Sequence, residues 1–127
     1  MDLNKINTTA LAFLGDAVYE VYVREHLLDL GLQAPDKLHR AAVRYVHAPA
    51  QEAAIKTLFN ELIESERALV KRARNKRSAS RPKNCTPITY KWATSFEALI
   101  GYLYLEGRTE RMEEIIAESI DIIESTF

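Results

Sequence analysis

Two carboxylates occupy places in this chain where acids are costly. Asp16 sits in Leu11-Ala12-Phe13-Leu14-Gly15-Asp16-Ala17-Val18-Tyr19-Glu20, and from Ala10 to Val23 only Asp16 and Glu20 are charged. Glu97 is the sole charge between Trp92 and Leu105, within Phe96-Glu97-Ala98-Leu99-Ile100-Gly101-Tyr102-Leu103-Tyr104-Leu105. An ionised carboxylate on so apolar an element must be paired, hydrogen-bonded or bound to a metal, because burying it alone is too expensive. On a helix, Thr9, Asp16, Glu20 and Arg24 fall within about 80° of arc. Tyr90, Thr94, Glu97 and Gly101 likewise share one face. Gly15 and Gly101 each cost a helix about 1 kcal/mol relative to alanine, so each has a packing reason to be there. Two apolar helices crossing at these glycines would bring Asp16 beside Glu97 and make one acidic site from two distant segments. The plainer alternatives are that Asp16 marks a helix irregularity beside Gly15 and that Glu97 pairs with a basic side chain.

The elements that must position these acids are helical. Asn7, Thr8 or Thr9 can cap a first helix that runs to about Leu30, where Gly31 stops it. Gln33-Ala34-Pro35-Asp36 opens a second helix, with Pro35 near its first turn and Leu38, Ala42, Tyr45 and Val46 facing inward. His47-Ala48-Pro49 breaks it, and a third helix runs from about Pro49 to Asn60 on Ala53, Ala54, Leu58 and Phe59. Ser65 is expected to cap a fourth, with Ala68, Leu69 and Ala73 inward, fraying near Ser78. Ser78 to Pro87, with two prolines, reads as a mobile basic loop. A fifth helix spans about Ile88 to Leu105, and a sixth, from about Thr109 to Glu124, offers Met112, Ile115, Ile116 and Ile120 as a core face. No stretch alternates with period two, so the expectation is an all-α fold of about six helices in one domain.

At 127 residues the chain is long enough to bury a core, and 47% apolar and 28% charged residues are ordinary for a folded protein. Neither a signal peptide nor an 18-residue apolar span is visible. Cys85 is the single cysteine, which rules out an internal disulfide and suits a reducing, cytoplasmic setting. The net charge of −1 hides an asymmetry. Lys71, Arg72, Arg74, Lys76, Arg77, Arg81 and Lys83 fall together with no acid among them, while the other ten basic residues face all 18 acids, a balance of −8. That separation points to a polyanion-facing segment on an acidic body, against the alternative of a merely solvated helix face. His26, His39 and His47 lack metal-site spacing. Tyr19, Tyr22, Tyr102, Tyr104 and Trp92 lie on the most apolar helices, which favours packing over base stacking.

The two acidic segments carry a resemblance. Leu11-Ala12-Phe13-Leu14-Gly15-Asp16-Ala17-Val18 resembles the signature helix of the ribonuclease III catalytic domain, and Phe96-Glu97-Ala98-Leu99-Ile100-Gly101 with Tyr104-Leu105 resembles that domain's second acidic motif. The likeness covers residues 1–127 as one catalytic domain, with no double-stranded-RNA-binding domain after it. That brevity, Tyr19 in the signature helix, and Arg72-Ala73-Arg74-Asn75-Lys76 are similar to the Mini-ribonuclease III branch.

The resemblance implies a homodimeric, all-helical endoribonuclease that hydrolyses phosphodiester bonds of double-stranded RNA with Mg2+, Mn2+ being able to substitute. It makes Asp16 and Glu97 the catalytic, metal-binding carboxylates and precursor large-subunit (23S) ribosomal RNA the expected substrate. Full-length ribonuclease III enzymes carry further acids where this chain has Thr9, Ala12 and Thr94. Thr9 and Thr94, from the faces they share with the acids, are candidates to position metal-bound water, and Glu20 either orients a ligand or, as its spacing favours, pairs with Arg24. Lys71, Arg72, Arg74, Lys76, Arg77, Arg81 and Lys83 are the candidate RNA contacts, sufficient because duplex RNA is read mainly by shape and backbone. Two rival readings remain: a catalytically silent helical module that binds structured RNA or ribosomal particles, and a protein-interaction dimer using apolar faces.

Overall fold

A computed structural model describes residues 1–77 and 84–127. Among them are six α-helices and no strand: α1 (Thr8–Asp29), α2 (Pro35–Val46), α3 (Ala48–Leu58), α4 (Glu64–Asn75), α5 (Pro87–Leu105) and α6 (Thr109–Glu124), with one 3₁₀ turn at Phe59–Glu61. The all-α expectation holds.

Helix α5 is the axis of the fold, packed by α1, α3, α4 and α6. Ala93, Ser95, Phe96, Ala98, Leu99, Ile100, Gly101 and Leu103 are buried around nearly its whole circumference, which is why its sequence shows no single apolar stripe. Asn7 caps α1 by accepting from the Thr9 amide (2.7 Å). Helix α1 is less enclosed than its composition suggests. Leu11, Ala12, Gly15, Tyr19, Val23 and Leu27 form its buried side, while Phe13, Ala17, Val21 and Leu28 follow one another on an exposed face.

The α1–α5 crossing is as close as two backbones allow. A Cβ on Gly15 would lie 1.7 Å from the Glu97 carbonyl oxygen, and one on Gly101 2.1 Å from the Leu11 carbonyl oxygen. Leu11 meets Gly101, Gly15 meets Glu97, and Tyr19 meets the Phe96 ring edge at 4.9 Å, so the helices run antiparallel.

His47, with extended backbone (φ −66°, ψ 155°), ends α2 and starts α3. Helix α4 departs from expectation. Ile63, not Ser65, is its N-cap residue, and Glu66 does the capping by accepting from the Ile63 amide (3.0 Å). Its inner face is Glu66, Leu69, Val70 and Ala73, with Ala68 exposed, and it ends at Asn75. Periodicity hid this register because a charged residue, Glu66, holds a fully buried position. Arg111 makes that burial tolerable: its Nε and one terminal nitrogen donate to the two Glu66 oxygens at 2.9 Å each, tying α4 to α6.

Candidate active site

Gly15 and Asp16 are consecutive on α1, and Gly15 presses on the backbone of Glu97 itself. The glycine contact therefore sets the separation of the two carboxylates. The Asp16 carboxyl lies within hydrogen-bonding range of Glu97, as the sequence spacing anticipated. Asp16 opens to solvent and Glu97 is half-buried beneath it.

Burial pushes the Glu97 carboxyl up to about 8; the negative charge of Asp16 and its hydrogen bond push the same way, and a hydrogen bond from Gln51 opposes them. Among the described residues neither acid forms an ion pair. The alternative that Glu97 is simply a buried partner of a basic side chain is thus not what the structure presents. Two acids face one another with no cation among the described side chains.

Gln51, on α3, was not legible as a site residue. It is 1% exposed, and its Nε2 donates to Glu97 Oε2 at 3.4 Å. Nothing in Ala50-Gln51-Glu52 distinguishes it by type; only the packing of α3 on α5 brings its amide to Glu97. The next residue, Glu52, is turned away and held by Lys56 (3.0 Å) and Thr89 (3.0 Å).

The threonines and Glu20 have other occupations. Thr94 donates to the Tyr90 carbonyl oxygen (2.9 Å), leaving its hydroxyl oxygen as an acceptor only. Thr9 is exposed and accepts from Lys76 Nζ (3.1 Å), which also reaches Asn7 Oδ1. Glu20 pairs with Arg24 at 3.2 Å, in line with the structural role its spacing favoured. Three side chains that could each bind a metal do not cluster anywhere among the described residues.

The described residues of the basic run lie on α4 and in the two residues that follow it. Lys71, Arg72 and Arg77 are exposed; Arg72 also donates to the Asn4 carbonyl oxygen (3.0 Å). The Arg74 guanidinium lies 4.8 Å from the Trp92 ring centroid, Lys71 Nζ lies 5.8 Å from that of Phe59, and the two rings meet edge to face at 6.3 Å. Trp92 thus packs rather than stands free, and it orders cations around it. Arg81 and Lys83 lie outside the described residues, as do residues 78–83 of the expected loop; at its other end Thr86 caps α5 and Pro87 is already the first residue of that helix. Tyr19 is core, with its hydroxyl donating to the Tyr45 carbonyl oxygen (3.1 Å), while Tyr22 donates to Glu113 (2.8 Å). His26 bonds Glu124 at 2.7 Å, and His39 and His47 are exposed.

Comparison with known proteins places this geometry. The ribonuclease III domain matches residues 9–108, a span that holds both acids. The chain belongs to the ribonuclease III family. It is 51% identical to the Mini-ribonuclease 3 of Brevibacillus brevis over 123 residues, 97% of this chain and 92% of that one. It is 43% identical to the Mini-ribonuclease 3 of Streptococcus pneumoniae, covering 98% of each. The crystal structure of a Fusobacterium nucleatum protein superposes with a TM-score of 0.86 at 35% identity, covering 95% of this chain and 98% of that one. Within the family the chain falls in the Mini-ribonuclease 3 branch, and it is an endoribonuclease.

Proposed function

We propose that the protein is a Mg2+-dependent endoribonuclease cutting double-stranded RNA, with Asp16 and Glu97 as its catalytic metal ligands. The observation that carries the reading is the juxtaposition of these two acids with no ion pair among the described residues. Two facing carboxylates are unfavourable alone, and burial together with the Asp16 charge disfavours the ionised form of Glu97; a divalent cation offsets it. The donor set suits magnesium, a hard cation that takes oxygen ligands and commonly keeps several waters, so two protein carboxylates suffice. When bound, the ion supplies an activated water and stabilises charge on the phosphoryl and leaving oxygens. The protein's own residues do the remaining work. The glycine crossing sets the separation of the acids, and the α4 surface (Lys71, Arg72, Arg74, Lys76, Arg77), continued in sequence by Arg81 and Lys83, neutralises RNA phosphates and orients the duplex. Lys76, reaching from the end of α4, leaves Thr9 facing a cation, so Thr94 is the better placed of the two threonines to accept from a metal-bound water.

The protein acts as a homodimer. Phe13 is 84% exposed and is followed by exposed Ala17 and Val21, an apolar patch on α1 that Arg24 separates from Leu28 and that suits a second copy. Precursor 23S ribosomal RNA in the cytoplasm is the proposed substrate, as the resemblance to the Mini-ribonuclease III branch implies. Among the described residues no helix is long and apolar enough to cross a membrane.

The test is cleavage of a long RNA duplex with Mg2+, with EDTA, and with Asp16→Asn. Cutting that requires Mg2+ and is lost in Asp16→Asn is the expected result. Duplex that is bound but stays uncut with both Mg2+ and Mn2+ would instead establish a silent RNA-binding module.

A further inference from the structure

Among the described residues, Gln51 is the one buried polar side chain that reaches the acidic pair from a third helix. It lies on the stripe of α3 that also carries Ile55 and Leu58, both buried, so packing alone would be served by an apolar residue. An amide taken from water and left without a partner is destabilising. Gln51 accepts that burden and spends its Nε2 on Glu97 Oε2. The 3.4 Å separation is at the long end of hydrogen-bonding range.

The chemistry of the donor is informative. A lysine or arginine at this position would neutralise the acidic pair and compete with a cation for it. A neutral amide orients the carboxylate while leaving its charge intact, and a carboxylate has about four lone-pair directions, of which the amide takes one. Glu52, which would add a third negative charge, is held off by Lys56 and Thr89. Helix α3 therefore presents to Glu97 an uncharged donor and no opposing charge.

We infer that Gln51 is a positioning residue of the catalytic site, holding the Glu97 carboxylate in the orientation in which it and Asp16 share a divalent cation. The inference rests on the metal-ligand reading of Asp16 and Glu97. Partners of this kind, one shell out from a metal, change its affinity by about 10–100-fold when removed.

The experiment measures Mn2+ binding to the RNA-free protein by electron paramagnetic resonance, alongside the melting temperature and the Mg2+ dependence of duplex cleavage. Gln51→Met keeps length and removes the donor; Gln51→Asn keeps an amide that falls one methylene short and serves if the methionine variant does not fold. The expected result is Mn2+ affinity weakened about tenfold and cleavage that needs correspondingly more Mg2+, with the turnover rate at saturating Mg2+ largely restored. A side chain that merely packs would move the melting temperature and leave Mn2+ affinity unchanged, and that result overturns the inference. Asp16→Asn and Glu97→Gln separate the two layers. If they abolish Mn2+ binding while the Gln51 variants do not weaken it, only the positioning role fails. If Mn2+ binds equally well without the acids, the metal-ligand reading fails and takes the inference with it.

Discussion

Gly15→Ala tests whether the helix crossing sets the geometry of the acids. The added methyl would sit 1.7 Å from the Glu97 carbonyl oxygen and 2.8 Å from the Gly101 amide nitrogen. Both neighbours are backbone, so no side chain can swing away. Helices α1 and α5 must part by more than about 1 Å before the first contact reaches the 3.0 Å floor of real Cβ contacts. Overpacking of this kind costs about 3 kcal/mol, and the gain in helix propensity from glycine to alanine returns about 1 kcal/mol, leaving a net loss of about 2 kcal/mol. At about 2.1 cal/mol/K per residue of unfolding entropy, that lowers the melting temperature of a 127-residue chain by roughly 7 °C. The effect on function should be larger. The displacement falls on Glu97 and on the residue beside Asp16, and a shift of about 1 Å at reacting groups costs roughly 100-fold in rate. The assay is single-turnover cleavage of an RNA duplex with the melting temperature measured on the same preparation. Gly31→Ala is the control. Gly31 has φ +90° with nothing within 4 Å of a Cβ, so alanine there is strained by about 1 kcal/mol yet should leave cleavage unchanged. A Gly15→Ala protein that melts and cleaves like wild type would refute the crossing as the device that spaces the acids.

Three further outcomes are expected. Glu66→Ala should destabilise the protein by about 3 kcal/mol in urea titration, because it removes the buried tie between α4 and α6 and leaves Arg111 with Glu114 as its remaining partner. Burial by itself pushes the Glu66 carboxyl up, but the Arg111 hydrogen bonds, the Ile63 amide and the charges of Arg111 and Arg108 outweigh it and hold the pKa below the ordinary value of 4.5. A depressed folded pKa gives stability that is complete above the unfolded value and lost as pH falls through the folded one, so wild type should lose stability below about pH 4.5 more steeply than Glu66→Ala. Replacing Lys71, Arg74 and Arg77 by alanine should flatten the salt dependence of duplex binding, lowering the slope of log K against log salt by about 1 for each phosphate contact removed; an unchanged slope would take α4 out of the RNA interface. Phe13→Asp should convert a dimer to a monomer in light scattering without unfolding it, since the exposed ring carries little of the core, and a dimer that survives would put the interface elsewhere.

Much of this protein could be read along the chain. Gly15 and Gly101 in otherwise apolar helices announced a close crossing, because glycine is costly in a helix unless something presses against it. Asp16 and Glu97 announced a candidate site, because acids on such elements need a partner, and the structure sets them side by side. Asn7, Pro35 and Gly31 marked helix ends through local chemistry that acts within a few residues. The basic run from Lys71 showed its character by charge alone.

Other features depended on which helix lies against which. Gln51 has the composition of any polar residue on α3, and its role exists only because α3 packs on α5 and delivers an amide to Glu97. Glu66 disrupts the apolar pattern of α4, and its burial makes sense only with Arg111 arriving from 45 residues away. The apolar surface of α1 looked like core throughout, whereas tertiary packing covers one side and leaves Phe13 outside. Local pattern reports what a residue can tolerate; only the long-range packing decides which partner it meets. That is why the two acids were visible in the sequence and the amide that orients one of them was not.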